Sequence, residues 1–344
     1  MQPRGEHHEF SSDNTAGICP EVLAALEETN HGSAVSYGDD EWRGRVRKLV
    51  RDLFETDCDT YFVFNGTAAN ALALAQLCQP FHSVVCHHHA HIQTDECGAP
   101  EFFTRGSKLL LVGGGAGKID LNEVNAVVAH QPEIHAHKPR VISVTQATEF
   151  GTVYARDEIA AIADLARNRK MFVHMDGARF ANAIASLGCS PQEITWKIGV
   201  DVLCFGGTKN GAVAAELVIF FKKELSREFD YRLKQAGQLV SKTRFLAAQW
   251  LGLLNNDVWL RNARHANMMA SKRAARLSAE AKIDIVFPVA ANALFVRMPE
   301  PLANDLHSRG WHFYKFIEPD VYRLMCSWAT TDAEIDRLVV DMLR

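Results

Sequence analysis

The sequence lacks the features that direct a protein to a membrane or to nucleic acid. No stretch of 18 or more apolar residues occurs in its 344 residues, and the N-terminal MQPRGEHHEF has no apolar signal-peptide segment. The formal net charge of -4 excludes the overall basic field that drives nucleic-acid binding. We therefore expect a cytoplasmic protein that binds neither membranes nor nucleic acid.

The sequence also lacks paired cysteines, repeats and linkers. Its eight cysteines are spread singly from Cys19 to Cys326 without a CxxC pair, which argues against a disulfide framework and against a cysteine zinc site. No repeat, low-complexity tract or long Pro/Ser-rich linker marks a domain boundary. The length suggests about two domains, and their boundary has to be inferred from the pattern of elements.

What the sequence has is an alternation of short apolar runs and helical stretches. The runs predict strands at YFVF (61–64), SVVC (83–86), KLLLV (108–112), RVISV (140–144), MFVHM (171–175) and DVLCF (201–205). Helices are predicted at 67–78, 157–168 and 180–187. Strands that are apolar throughout are typical of a mainly parallel sheet covered by helices on both faces, in which ligands bind at the carboxyl ends of the strands.

The pattern changes after about residue 250. A long polar-faced helix (257–282) precedes ALFVRM, WHFYKF and VYRLMCSW, and a last helix is predicted at 331–343. This predicts a smaller α+β domain with an antiparallel sheet. We assign residues 1–250 to an N-terminal segment and a large domain, and residues 251–344 to the small domain.

Three motifs follow strands of the predicted parallel sheet. FNGTAAN contains Gly66 and Thr67 at a helix start, where free N–H groups favour an anion, although Thr67 as a plain helix cap is the simpler interpretation. HMDGAR places Asp176 at the same edge, where an ion pair with Arg179 is the structural alternative. FGGTKNG places Lys209 among three glycines at that edge.

Together the three motifs fit one cofactor, pyridoxal 5'-phosphate. It requires an anchored phosphate, a carboxylate beside its ring nitrogen and a lysine amine that forms a Schiff base. The glycines that flank Lys209 would let the backbone approach the ring.

Longer motifs carry a family resemblance. FNGTAAN, AHIQTDECG, HMDGARFANA and FGGTKNG, with SSDNTAGICPEVLAAL and AVSYGDDEW, resemble the low-specificity L-threonine aldolases over nearly the whole chain. The resemblance implies an α/β fold of the aspartate-aminotransferase-like type (fold type I of the pyridoxal-phosphate enzymes), with a mainly parallel seven-stranded sheet and a smaller C-terminal α+β domain.

The resemblance also implies roles for individual residues. Lys209 would be the Schiff-base lysine, Asp176 the partner of the ring nitrogen, and Gly66 and Thr67 the phosphate donors. Arg179 would lie by the cofactor's phenolic oxygen and help to hold the substrate carboxylate, which Ser12 in SSD and Arg323 in VYRLM would also bind.

The histidine run HHHAH (87–91) has two interpretations. It looks like a metal site, but adjacent residues after a strand point to opposite sides, so we expect no metal. The resemblance assigns His91 to the cofactor face and leaves His87, His88 and His89 as loop residues. Glu96 would either orient His91 or transfer a proton itself.

One position departs from many family members. Glu149 in TEFG stands where those members carry a histidine thought to contact the substrate's β-hydroxyl, which leaves the preference between threo and erythro substrates open. Tyr37, Lys242 and Arg244 resemble segments that reach a neighbouring subunit's site, although each could equally be a surface residue. The family is commonly a dimer of dimers, so a homo-oligomer (homotetramer) is expected.

The implied reaction is reversible cleavage of L-threonine, L-allo-threonine or a related L-β-hydroxy-α-amino acid, with phenylserine equally compatible, to glycine and an aldehyde. It would proceed through an external aldimine and a quinonoid, with His91 as the favoured base, directly or through water. A β-eliminating lyase of the tryptophanase or tyrosine phenol-lyase kind is the alternative with the same cofactor. A regulator that binds a cofactor or metal without turnover is the non-enzymatic alternative.

Overall fold

The computed structural model describes residues 8–129 and 134–344. Its strands are β1 His8–Glu9, β2 Asp59–Val63, β3 His82–His87, β4 Lys108–Val112, β5 Lys138–Thr145, β6 Phe172–Gly177, β7 Val202–Gly206, β8 Glu216–Phe220, β9 Asp284–Ile285, β10 Ala293–Arg297, β11 Trp311–His312, β12 Tyr314–Ile317 and β13 Val321–Met325.

The same residues contain both long and short α-helices. These are α1 Pro20–Thr29, α2 Glu41–Phe54, α3 Gly66–Leu77, α4 His91–Thr94, α5 Ala99–Phe103, α6 Leu121–Ala129, α7 Arg156–Asn168, α8 Phe180–Leu187, α9 Phe229–Gln235, α10 Arg244–Leu254, α11 Val258–Ala279, α12 Glu300–Ser308 and α13 Asp332–Met342. None of the helices in the described ranges is both long and apolar enough to cross a membrane.

A seven-stranded sheet forms the larger layer. Its strand order is β2-β8-β7-β6-β5-β3-β4, and only β8 runs against its neighbours. The parallel strands therefore end at one edge of the sheet, and β8 begins there. This confirms the predicted α/β fold with a mainly parallel seven-stranded sheet.

Both faces of this sheet are buried except at the edge strand β4. Successive strand residues point to opposite faces, so that on β7 Leu203 belongs to the core on one face and Cys204 to the core on the other. Helices α2, α7 and α10 cover the first face, and α3 covers the second. The continuous apolar runs in the sequence follow from this double coverage.

A four-stranded antiparallel sheet forms the smaller layer, in the order β12-β13-β10-β9. It packs with α11, α12 and α13 around a separate core. Strand β1 pairs in parallel with β11, and Phe10 is buried in that smaller core. The N-terminal segment therefore packs onto the C-terminal part of the chain.

The sequence located most elements within a few residues. KLLLV was placed correctly as β4, and 180–187 as α8. WHFYKF, however, is divided between β11 and β12, which belong to different sheets. Strand β8 had no counterpart among the predicted runs. The boundary predicted between residues 250 and 251 lies within α10 and stays a prediction.

Candidate functional site

An open cavity lies at the sheet edge where the parallel strands end. Its volume is about 180 Å³. Four predicted site positions with side chains suited to chemistry meet in its wall: Thr67, His91, Asp176 and Lys209. The other lining residues are Asn14, Asn65, Gly66, Asn70, Ala178, Thr208 and Glu216.

Lys209 lies in a one-turn helix, Thr208–Asn210, just after β7. Two glycines make the close approach of this turn possible: a Cβ on Gly206 would lie 2.5 Å from the Ala178 carbonyl oxygen, and one on Gly207 would lie 2.6 Å from that of Ala215. Among residues 8–129 and 134–344 the Lys209 amine has no hydrogen bond or ion pair. A half-buried amine without a carboxylate partner is free to react with a carbonyl group.

Asp176 is buried near the end of β6. Its Oδ1 accepts a hydrogen bond from the Ala178 N–H at 3.0 Å, and its Oδ2 accepts one from the Asn70 side-chain amide at 2.9 Å. These two bonds fix the plane of the carboxylate at the cavity wall. The geometry suits a carboxylate that pairs with a cationic or N–H group of a bound molecule.

Asn70 links two acidic side chains. Its Nδ2 donates to Asp176 and also to Glu96 Oε1, the second bond at 2.8 Å. Glu96 is almost fully buried, and burial raises the pKa of its carboxyl above the ordinary value. Asn70 therefore holds both carboxyl groups in place.

His91 begins α4 and presents a partly exposed ring to the cavity. Its Nδ1 lies 2.9 Å from Glu96 Oε1. The hydrogen bond to Glu96 raises the pKa of His91 above its ordinary value, against the effect of burial. Because Nδ1 is engaged, Nε2 is the nitrogen left for a ligand.

The start of α3 forms another wall of the cavity. Asn65 caps this helix, since its side chain accepts a hydrogen bond from the Ala68 N–H at 2.8 Å. The interpretation of Thr67 as the helix cap was therefore wrong, because the cap lies two residues earlier. Gly66 and Thr67 occupy the first helical positions, where backbone N–H groups have no partner within the helix.

Arg179 is engaged in a buried ion pair with Asp13. Its Nε and Nη2 donate to the two carboxylate oxygens of Asp13 at 2.7 and 2.9 Å. Asn292, from the segment before β10, donates to the same carboxylate at 2.9 Å. Although burial disfavours its charge, the Asp13 carboxylate raises the pKa of Arg179 well above its ordinary range. Two of the three Arg179 nitrogens are therefore taken by the protein itself.

Arg323, on β13, has no carboxylate partner within the described residues. Its Nη2 donates to the Ser11 carbonyl at 3.3 Å, and its buried Nε has no hydrogen bond. Burial lowers the pKa of Arg323 to about 10. Ser12 follows Ser11 and caps the turn that carries Asp13. The N-terminal segment therefore brings Ser12 to the region of both arginines.

Glu216 is a cavity residue that the sequence did not indicate. It begins β8, is 6% exposed, and accepts a hydrogen bond from the Thr208 N–H at 3.3 Å. Burial raises the pKa of Glu216 to about 7.

The other histidines of the HHHAH run do not line the main cavity. His87 is the buried last residue of β3, stacked on His88 with ring centroids 4.2 Å apart. With His89 and Glu149 it lines a second, smaller cavity. The structure contains no group of three or more potential metal ligands within 8–129 and 134–344.

Tyr37, Lys242 and Arg244 do not line the main cavity. Tyr37 is exposed, with the Lys234 ammonium 4.6 Å from its ring centroid. Lys242 is also exposed, and Arg244 bonds the carbonyl groups of His31 and Gly32 at 3.4 and 3.2 Å.

The sequence did not identify three candidate functional residues: Asn70, Asp13 and Glu216. Asn70 lies one turn after Gly66 on α3, and Asp13 stands inside the SSD motif, so both were within motifs already singled out. A glutamate before the apolar run LVIF was the only signal for Glu216.

Comparisons with known proteins identify related chains. The model of the beta-eliminating lyase family matches residues 9–301. The low specificity L-threonine aldolase of Pseudomonas sp. (strain NCIMB 10558) is 51% identical over 337 residues, covering 98% of this chain and 97% of its own. That of Pseudomonas aeruginosa is 53% identical over 339 residues, covering 97% and 96%. A solved threonine aldolase structure from Leishmania major has a TM-score of 0.92 at 27% identity, covering 97% of this chain and 98% of that one.

Proposed function

Because the chain belongs to the beta-eliminating lyase family, and within it to the low specificity L-threonine aldolases, we propose that it reversibly cleaves L-threonine, L-allo-threonine and related L-β-hydroxy-α-amino acids to glycine and an aldehyde. Pyridoxal 5'-phosphate is the cofactor in this proposal. The observation that carries it is the unpaired Lys209 amine in one cavity with the buried Asp176 carboxylate.

The residues present fit this cofactor. Lys209 supplies an amine that is free of carboxylate partners, and the start of α3 supplies N–H groups for a phosphate at Gly66 and Thr67. When bound, the cofactor supplies a ring that accepts the electrons released when a bond at the substrate's Cα breaks. Asp176 would hold a proton at the ring nitrogen, and its two hydrogen bonds keep it in that position.

In this proposal Arg323 binds the substrate carboxylate. It is a buried cation whose Nε lacks a partner among the described residues, and such a group gains most from an anionic ligand. Arg179 is held by Asp13, so it contributes positive charge and the remaining Nη1 rather than a full two-pronged contact. Fixing the carboxylate orients the substrate, and this orientation selects which bond at Cα breaks.

His91 would accept the proton of the substrate's β-hydroxyl at Nε2. Glu96 fixes the ring through Nδ1 and stabilises the imidazolium that forms. The negative charge of Glu149 also favours the protonated form of His91. Glu149 lines the second, smaller cavity together with His89. We propose that Glu149 influences the preference between threo and erythro substrates from this position.

We also propose a homo-oligomer, as a dimer of dimers. Tyr37, Lys242 and Arg244 lie outside the chain's own cavity, which suits residues that complete the site of a neighbouring subunit. Measuring the molecular mass of the wild type and of Arg244→Ala by light scattering tests this proposal. A monomeric mass for both proteins would contradict it.

The experiment that tests the proposed function compares the wild type with Lys209→Ala. The wild type should bind pyridoxal phosphate with visible absorbance, be fixed at Lys209 by borohydride as located by peptide mass, and release glycine from L-threonine. Lys209→Ala should lose all three properties. Lys170→Ala removes an exposed lysine outside the cavity wall and should lose none.

Product analysis separates the second candidate, β-elimination, which the matched family model keeps in consideration. Elimination releases pyruvate and ammonia, whereas aldol cleavage releases glycine and an aldehyde. If pyruvate is the main product, the aldolase proposal is wrong, and the protein is a β-eliminating lyase that uses the same lysine.

A further inference from the structure

Glu216 reaches the cavity because β8 is the one reversed strand of the large sheet. The other strands end at the cavity edge, whereas β8 begins there with Glu216. In register, Glu216 stands opposite Val63 on β2 and Gly206 on β7. Val63 lies three residues before Gly66 at the start of α3, so Glu216 lies between the chain leading to that helix and the chain leading to Lys209.

The surroundings of Glu216 are poor in compensating charge. Its carboxyl accepts a weak 3.3 Å bond from the Thr208 N–H, and the Thr208 side chain is a second hydrogen-bond partner. Burial is the main cause that raises the pKa of Glu216 to about 7, and nearby Asp176 adds to the rise, whereas Thr208 and Lys209 oppose it. Burial also raises the pKa of the Cys204 thiol well above its ordinary value, and Asp176, Glu96 and Glu216 add to that rise. His91 lines the same cavity as Glu216.

We propose that Glu216 is a proton-carrying residue of the phosphate subsite: it accepts a phosphorylated ligand as the neutral carboxylic acid, so binding takes up one proton wherever free Glu216 is ionised. The inference rests on the proposed function, because it takes the cofactor's phosphate to lie at the start of α3.

The proton balance follows from charge. A phosphate dianion beside an ionised carboxylate is repelled, whereas a neutral carboxyl O–H can donate a hydrogen bond to a phosphate oxygen. The net step joins the free carboxylate, one proton from solvent and the dianionic ligand into a complex with neutral Glu216. Each unit of pH above about 7 should therefore weaken the binding of a phosphorylated ligand by up to tenfold.

The test uses ligands that cannot react with Lys209. Pyridoxine 5'-phosphate and pyridoxine both lack the aldehyde, and they differ only in the phosphate. Calorimetry from about pH 6 to about pH 9, in buffers of different ionisation enthalpy, gives the affinity and the number of protons taken up. The proteins are the wild type, Glu216→Gln, Glu216→Ala and the control Asp201→Asn, a buried carboxylate that does not line this cavity.

In the wild type and Asp201→Asn, we expect pyridoxine phosphate to bind up to tenfold more weakly per unit above about pH 7, with uptake approaching one proton. Glu216→Gln keeps a donor and should bind with an affinity that varies little above that pH. Pyridoxine should show no such dependence in any variant. The phosphate's own titration, with a pKa near 6, is common to all variants and cancels in the comparison.

Two results would overturn the inference. One is the same loss of affinity with pH in Glu216→Gln and Glu216→Ala as in the wild type. The other is a Glu216-dependent loss of affinity with pH for unphosphorylated pyridoxine, which would show that Glu216 does not act on the phosphate. Failure of the proposed function is distinguishable. If the cofactor is wrong, the wild type binds neither pyridoxal phosphate nor pyridoxine phosphate, and if only the reaction is wrong, pyruvate replaces glycine as the product while pyridoxine phosphate still binds.

Discussion

The ion pair between Asp13 and Arg179 offers the sharpest test of how this site is held together. Asp13 comes from the N-terminal segment, Arg179 follows β6, and Asn292 from the segment before β10 bonds the same carboxylate. The pair therefore joins three distant parts of the chain at the cavity. We predict that Asp13→Ala destabilises the protein far more than the loss of an exposed ion pair would.

The magnitude follows from burial. The side chains of Asp13 and Arg179 are 1% and 9% exposed, so removing one partner leaves an uncompensated buried charge. Such a loss typically costs about 3–5 kcal/mol, a large part of the roughly 5–15 kcal/mol that stabilises a typical protein. The double variant Asp13→Ala, Arg179→Met removes both charges and should be more stable than Asp13→Ala by at least about 1 kcal/mol.

The assay is urea unfolding of the cofactor-free chain, followed by tryptophan fluorescence at one protein concentration. Asp164→Ala, which removes the partner of exposed Arg167, is the control and should change little. The reasoning is refuted if Asp13→Ala behaves like this control. It is also refuted if the double variant is no more stable than Asp13→Ala, since the cost would then not come from a stranded charge.

The pH dependence has a definite sign. Burial alone would raise the pKa of Asp13, but the charge and hydrogen bonds of Arg179 hold it below its ordinary value. A carboxyl whose folded pKa is depressed stabilises the protein fully above its unfolded pKa, near 4, and loses that contribution as the pH falls through the folded pKa. The difference in stability between the wild type and Asp13→Ala should therefore shrink below about pH 4.

Three further predictions concern single residues. Gly206→Ala should lower stability in thermal unfolding by about 1–3 kcal/mol, because the new Cβ would lie 2.5 Å from the Ala178 carbonyl oxygen, which is backbone and cannot turn away. Glu96→Gln should lower the pKa of His91 in an NMR titration, because the hydrogen bond to Glu96 is the main cause of its rise. Arg323→Met should raise KM for L-threonine more than it lowers kcat, because it removes a contact made to the substrate in both the ground state and the transition state.

Matched controls exist for each of these variants. Gly44→Ala places a methyl group in open space on α2 and should not destabilise the protein. Glu123→Gln changes a carboxyl that bonds the Gly113 N–H and should leave the His91 titration unchanged. Arg297→Met removes a half-exposed arginine of β10 that pairs with Asp320, and KM should not move. A shift of the same size in a control would contradict the corresponding prediction.

Much of the fold could be predicted because burial on both sheet faces leaves a simple signal. The run DVLCF (201–205) lies within one residue of β7, whose residues are all buried. KLLLV also has the limits of β4, although β4 is an edge strand in which Leu111 is exposed. Strand β8 was not located, because its first residue is a glutamate and the segment follows the Lys209 loop without a helical stretch between. Its antiparallel direction is what allows so short a connection.

The site could be predicted only as far as local motifs reach. Asp176 and Lys209 stand at the ends of neighbouring strands, so strand order brings them together. The engagement of Arg179 by Asp13 joins residues 166 positions apart, and no local pattern encodes such a contact. The bond between Asn70 and Asp176 likewise spans 106 positions. Contacts of this kind depend on how the layers pack.

Asn70 explains how two acidic side chains can lie close together at this cavity. Asp176 and Glu96 are both buried there, and two like charges at such a site would repel each other. An amide offers two N–H donors from one nitrogen, and Asn70 gives one to each carboxyl group. Aspartate at this position would add a third acceptor and remove both donors. The amide therefore lets Glu96 hold His91 while Asp176 stays aimed at the cavity from its own strand.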